Sequence, residues 1–205
     1  MEPMKKSQVP EGQIGDWKVT KFEVSEDGAM VCNLRSAING ASFMNITPGK
    51  YTKLTCGGVI VMSDTPMEMR MHSEIMYQAH GHVLLNGLGL GMIAVALAGK
   101  DEVKSVTIVE LNEEVIRLVE PHIRHPKIKV VQGNAFTYRP ELPEGGKFDA
   151  VWHDIWYNIC EDNHEEMKKL HRRYGRWARW QGSWSRDQVE QMIERDKRQA
   201  WRWLK

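Results

Sequence analysis

The residues best suited to chemistry gather between His82 and Tyr157. "HVLLNGLGLGM" places Gly87, Gly89 and Gly91 at alternate positions directly after an apolar run. Such a stretch is a flexible linker, a tight turn, or a place where backbone approaches a ligand closely, and the segments downstream decide between these. Glu110 comes twenty-three residues after Gly87, at the end of "SVTIVEL". A carboxylate there can accept both hydroxyls of a ribose. "QGNAF" supplies Asn134, an amide that accepts through its oxygen, and Phe136, an apolar wall. "FDAVWHDIWY" supplies His153 and Asp154, two titratable groups that could move a proton, flanked by Trp156 and Tyr157. His72 lies upstream in "MEMRMHSEIM". His122 and His125 ("HIRH") lack further ligands at metal spacing, so no metal is expected.

These residues need elements to hold them. From His82 onward, "HVLLN", "SVTIVEL", "IKVVQGNAF" and "FDAVWHDIW" read as strands, with "MIAVALAGK" and "NEEVIRLVE" as helices between the first three. Strands alternating with helices indicate a parallel sheet with helical crossovers. Gly87, Gly89 and Gly91 then occupy the first strand-to-helix turn, where a missing side chain admits a ligand and the helix start offers free N–H groups. Upstream, "WKVTKFEVS" and "MVCNLRS" around "EDGA" predict a β-hairpin, and "KYTKLTCGGVIVMSD" repeats the pattern around Gly57 and Gly58. Pro66 ends that region, and "MEMRMHSEIMYQAH" reads as a helix. The last 45 residues contain no convincing strand. They predict two helices, "NHEEMKKLHRRYGRWARW" and "SRDQVEQMIERDKRQAWRWL", the second with Ser185 as N-cap and Asp187 and Glu190 in its first turns.

The expected fold class is therefore α/β: a truncated Rossmann-like doubly wound sheet with an N-terminal β-hairpin region and a helical C-terminal cap. The boundaries fall at 1–65, 66–160 and 161–205. A chain of 205 residues with 41% hydrophobic residues can bury a sizeable core, and a net charge of +1 predicts no strong global field. No apolar run has the roughly 18 residues needed to span a bilayer, and "MEPMKKSQVPEGQ" has no signal-peptide core. Cys32, Cys56 and Cys160 are widely separated and read as reduced thiols. A cytoplasmic protein without a membrane partner is expected.

The glycine spacing favours S-adenosylmethionine over NAD, because the dinucleotide fingerprint puts its third glycine at the position of Met92. Between about Lys50 and Asp154, the order of "CGGVIVMSDTPMEMRMHSEIM", "HVLLNGLGLG", "VTIVELNEEVIRLV", "VVQGNAF" and "FDAVWHD" resembles the class I S-adenosylmethionine-dependent methyltransferase superfamily. Within it, the chain looks most like the spermidine synthase-like branch. The resemblance implies that Gly87, Gly89 and Gly91 pass under the methionine moiety and that Glu110 holds the ribose. Asn134 would stand where an Asp accepts from the adenine amino group. Asp154 would lie beside the attacking group as proton acceptor, with His153 as a second titratable group. Trp156, Tyr157 and His72 would line the substrate pocket.

Three positions depart from that branch. Leu90 and Tyr157 stand where acidic residues serve a polyamine, and Val61 stands where the family has Gln. Methyl transfer to a small-molecule acceptor is accordingly the expected activity. Aminopropyl transfer is the alternative, and a non-catalytic nucleotide-binding or nucleic-acid interaction module is another. From Lys168 to Arg179 there are six Lys or Arg and no acid, interleaved with Tyr174 and Trp177, so nucleic acid is a further candidate partner. The same residues also suit a helix whose aromatics cover the sheet, with arginines solvated around them. A homo-oligomer is left open. Five of the eight tryptophans (Trp177, Trp180, Trp184, Trp201 and Trp203) lie near the C-terminal end.

Overall fold

The computed structural model describes residues 4–38 and 45–203, with side chains up to residue 198. Trp201 and Trp203 therefore lie outside the described side chains. Two sheets organise the chain. The first contains β1 (Gly12–Ile14), β2 (Trp17–Val24), β3 (Gly49–Cys56) and β4 (Val59–Ser63), antiparallel and in that order. The second contains β5 (Gly81–Asn86), β6 (Val103–Glu110), β7 (Ile128–Gln132), β8 (Phe148–His153) and β9 (Ala178–Ser183). All its pairings are parallel, and its order is β7-β6-β5-β8-β9.

Relative to the first strand of this sheet, that order is 3-2-1-4-5, the doubly wound arrangement of a Rossmann-like fold. Register puts the carboxyl ends of the strands at one edge: Asn86 pairs with Val109 and His153, Glu110 with Gln132, and His153 with Ser183. α4 (Met92–Ala98) and α5 (Glu113–Val119) pack against β6 and β7, and α6 (Asp162–Tyr174) packs against β8, β9 and α7 (Arg186–Trp203). α2 (Pro66–Met71) and α3 (Ser73–Gln78) lead from the first sheet to the second. Adjacent strand residues face opposite sides. Trp152 meets His72, before α3, while His153 meets His171 and Tyr174 of α6, so both sheet faces are covered.

Three sequence readings are corrected. "EDGAMVCNLRSAI" is not the second arm of a hairpin but the helix α1 (Glu26–Ile38). The Asp27-Gly28 turn signal loses to a helix start, in which Ser25 Oγ accepts the Gly28 N–H at 3.1 Å and Glu26 and Asp27 occupy the first turn. β2 then pairs with β3 instead. The stretch after Pro66 is two short helices, divided at His72 (φ −98°, ψ 10°), rather than one. The C-terminal region contains a strand. α6 stops at Gly175, and "ARWQGS" joins the sheet as β9 beside β8.

Alternation along β9 shows why it is extended. Trp180 stacks on Trp152 at 6.2 Å, while Gln181 and Ser183 turn to the α6 side and bond His171. Ser185 stands at the start of α7 with φ 53°, and its buried Oγ has no hydrogen-bond partner among the described residues. It does not cap the helix as expected.

The sequence reading leaves Gly182 in the connection between two helices, whereas the structure places it in β9, and the two predict different outcomes for Gly182→Ala. In β9 a Cβ at Gly182 would lie 2.7 Å from Trp180 and 2.8 Å from Trp152. Overpacking should then destabilise the protein by about 1–3 kcal/mol. In an exposed connection the same change would alter stability by no more than about 0.5 kcal/mol. Urea unfolding of the variant distinguishes the two.

Candidate active site

The loop after β5 depends on backbone conformations that side-chain-bearing residues rarely adopt. Gly87 (φ 102°), Gly89 (φ 51°) and Gly91 (φ 74°) are all left-handed. Space explains them as well. A Cβ at Gly87 would run into the Asp154 carbonyl oxygen, one at Gly89 into Met62 Sδ, and one at Gly91 into Ile123. The glycines are thus needed first for the chain's own packing. Gly87 and Gly89 line the cavity between the two sheets, whereas Gly91 caps α4 and faces α5.

Glu110 ties this loop to the next one. Its buried carboxylate accepts the Leu88 N–H at 2.9 Å through one oxygen, and the Asn112 N–H and side-chain amide at 2.9 and 3.0 Å through the other. The oxygen that meets Leu88 has one lone pair left for a further bond, whereas the one that meets Asn112 twice is filled. Met62, on β4, accepts the Leu90 N–H at 3.2 Å, so the first sheet is latched onto the glycine loop. Asp64 accepts the Thr52 N–H at 2.6 Å and the Ser7 N–H at 3.1 Å, and Ser7 Oγ in turn donates to the Leu90 carbonyl at 3.4 Å.

The cavity, about 280 Å³ in volume, lies between the two sheets at the carboxyl edge of the parallel one. This is where ligands of open α/β sheets bind. Gly87, Gly89, Glu110, Asn134, Asp154, Trp156 and Tyr157 all line it, with Val109, Leu111, Val115 and Phe136 as apolar wall. Two carboxylates that sequence reading missed line it too: Glu68 from α2 and Glu166 from α6. Among the described residues, no Lys, Arg or His lines it. Nothing in "PMEMRM" marks Glu68, because one acid on a short helix is ordinarily solvated. Glu166 accepts the Trp156 indole N–H at 2.7 Å.

The carboxylates disturb one another. Burial, then the negative charges of Glu68 and Glu110, hold the Asp154 carboxyl well above the usual range. Burial alone pushes Glu68 up to about 7. His72 Nε2 lies 3.9 Å from Asp154 Oδ2. The His72 ring is fully buried, with neither nitrogen hydrogen-bonded among the described residues, and burial lowers it to about 3, so it is neutral. It sits beside Asp154 rather than on the cavity wall.

His153 is placed differently from the sequence expectation. As the strand neighbour of Asp154 it points to the α6 side, away from the cavity. There its Nδ1 accepts from the Asn86 amide at 2.8 Å and its Nε2 lies 3.3 Å from Gln181 Oε1. Burial, then His171, lowers it to about 3. It belongs to a buried polar network, not to the cavity. Asn134 heads a turn: its Oδ1 accepts the Phe136 N–H at 2.8 Å, which occupies the oxygen expected to meet adenine. Among the basic residues of the tail, Arg173 donates to the Thr137 and Tyr138 carbonyls, Arg176 lies over Trp177 and Arg179 pairs with Asp149. Tyr174 and Trp177 are buried and present no open face for a base. Among the described residues no group of His, Cys, Asp or Glu could hold a metal, and no helix is long and apolar enough to cross a membrane.

Strand order, glycine loop and the acid ending β6 together define a Rossmann-like, doubly wound α/β fold. No family model matches the chain, and no curated protein matches it in sequence. Solved structures overlap it in part. Spermidine synthase from Thermotoga maritima is 14% identical, with a TM-score of 0.47, covering 79% of this chain and 52% of its own. A candidate RNA methyltransferase from Pyrococcus horikoshii is 16% identical, with a TM-score of 0.45 and coverages of 62% and 66%. The N-terminal domain of EvdMO1, solved with SAH and D-fucose, is 18% identical, with a TM-score of 0.36 and coverages of 53% and 46%. The chain thus spans about half to two thirds of the length of these proteins. The chemistry open to the cavity is set by its own residues.

Glu68 gives the site a pH signature. A carboxyl raised from 4.5 to about 7 binds its proton more tightly in the folded protein, so its contribution to stability is full below about pH 4.5 and lost as pH rises through 7. Above that, ionising it costs on the order of 3 kcal/mol. Glu68→Gln should therefore raise the melting temperature at pH 8 and leave it nearly unchanged at pH 4. Paired thermal melts at the two pH values check this.

Proposed function

We propose that the protein binds S-adenosylmethionine and transfers its methyl group to a small-molecule acceptor seated beside Asp154. The observation that carries this reading is the convergence of the glycine loop, Glu110 and Asp154 on one cavity, lined among the described residues by four carboxylates and no cationic side chain. An anionic, partly dehydrated site suits a cationic ligand, because Coulomb attraction is stronger where water is excluded. When bound, S-adenosylmethionine supplies an electrophilic methyl group on a positively charged sulfur.

The chain's residues fit that group. The one free lone pair of Glu110, on the oxygen that meets Leu88, would accept a ribose hydroxyl. Val109, Leu111, Val115 and Phe136 would wall the adenine, and Asn134, with its oxygen engaged, would offer its amide N–H to a ring nitrogen. Trp17, Leu54 and Met62 of the first sheet would exclude water from the opposite side. Burial and the neighbouring carboxylates make Asp154 a stronger base than an ordinary carboxylate, and in its ionised form it would take the proton released by the acceptor.

Aminopropyl transfer is the second reading, and one observation favours it. Leu90 is buried and supplies no acid, and Tyr157 stands at the other expected acidic position, yet Glu68 and Glu166 place two carboxylates in the cavity from elsewhere. The nucleoside product separates the readings. Methyl transfer leaves S-adenosylhomocysteine, and aminopropyl transfer leaves methylthioadenosine, identifiable by chromatography.

Calorimetry provides the corresponding binding test. Glu110→Gln should weaken S-adenosylhomocysteine by about 1.5–3 kcal/mol, the range for hydrogen bonds to a charged group. Asp154→Asn should keep that affinity and lower turnover instead. Unchanged affinity in the folded Glu110 variant would remove the ribose assignment.

A further inference from the structure

Beside the cavity lies a second hollow of about 340 Å³, lined by Val59, Ile155, Trp156, Tyr157 and Asn158. Ile155, Trp156 and Tyr157 line both. The two spaces differ in chemistry. The cavity holds four carboxylates, whereas the hollow has no carboxylate or cationic side chain among its described residues and presents exposed apolar surface, with Val59 62% and Tyr157 47% accessible. Its aromatic floor is fixed in place. Trp156 is held by its bond to Glu166, and the Tyr157 ring stands edge-on to Trp17 at 6.0 Å. The exposed apolar surface thus adjoins the reacting end of the site.

We infer that the acceptor is an amphipathic amine, its protonated nitrogen among the carboxylates near Asp154 and Glu68 and an aromatic or branched aliphatic arm in the hollow. This rests on the transferase reading of the cavity and names the substrate class for it. The hollow is shallow and lined by only five residues, room for one arm of a ligand rather than a whole one. A stable protein interface would instead need about 800 Å² from each partner. A linear polyamine fits the hollow poorly, because its second cation would meet no acid there and its chain would leave the aromatic surface uncovered. An aromatic arm gains by leaving water and by edge or stacking contact with Trp156 and Tyr157.

The test is calorimetric titration of the full chain with phenethylamine, 1,4-diaminobutane and phenylacetate, with S-adenosylhomocysteine titrated separately. Phenethylamine should bind at least tenfold more tightly than either comparator. Val59→Lys, at an exposed position, should weaken it at least tenfold while leaving S-adenosylhomocysteine affinity unchanged. Tyr157→Ala should weaken it similarly. Equal or tighter binding of diaminobutane, no saturable binding of phenethylamine, or full affinity in both variants would overturn the inference. If S-adenosylhomocysteine fails to bind while the amine preference holds, the cofactor reading falls and the hollow's selectivity stands.

Discussion

The site hangs on the carboxylate of Glu110. A buried anion needs hydrogen bonds to replace its hydration, and this one finds them in the Leu88 N–H of one loop and the Asn112 N–H and amide of the next. That pairing fixes the loops after β5 and β6 at the same height above the sheet edge. The rest of the cavity is registered on those loops: Met62 latches onto Leu90, and the Asp154 carbonyl fills the space that a side chain at Gly87 would need. A residue suited to holding a ribose is also the residue that shapes the place where a ribose would lie.

Around this clamp the protein collects carboxyl groups with no cationic side chain among the described residues that line the cavity. Glu68, Glu110, Asp154 and Glu166 arrive from four different elements, and the neighbouring His72 is too buried to carry a compensating charge. Like charges in a dehydrated space raise one another's affinity for protons, as Asp154 shows. Such an arrangement costs stability in isolation and is relieved by a cation or by protonation. Site chemistry and fold stability are therefore coupled through the same carboxyls.

The end of β8 shows how one strand serves two purposes. Trp152 faces His72, and Asp154 lines the cavity. His153 between them faces α6, where Asn86, Gln181, His171 and Tyr174 form a polar network beneath the site. The Tyr174 hydroxyl lies 3.1 Å from Asn86 Oδ1 and 2.9 Å from the Ala135 carbonyl, so the network also braces the loop after β7. Tyr174, one of the aromatics interleaved with the basic residues of the tail, serves this packing.

The sequence alone determined what depends on neighbours along the chain. The apolar runs of β5, β6 and β8, the glycines demanded by left-handed turns, and the acid ending β6 are all local signals, and from them the parallel sheet and half of the cavity wall were legible. Where two local signals competed, proximity misled. Ser25 capping a helix outweighed the Asp27-Gly28 turn, and β9 looked helical because its alternation matters only beside β8. Tertiary structure alone decided which distant groups share a space. Glu68 and Glu166 carry no mark in their own segments, and the separation of His153 from Asp154 follows from which face each helix covers. Burial makes these groups chemically unusual, and burial is set by contacts between residues far apart in sequence.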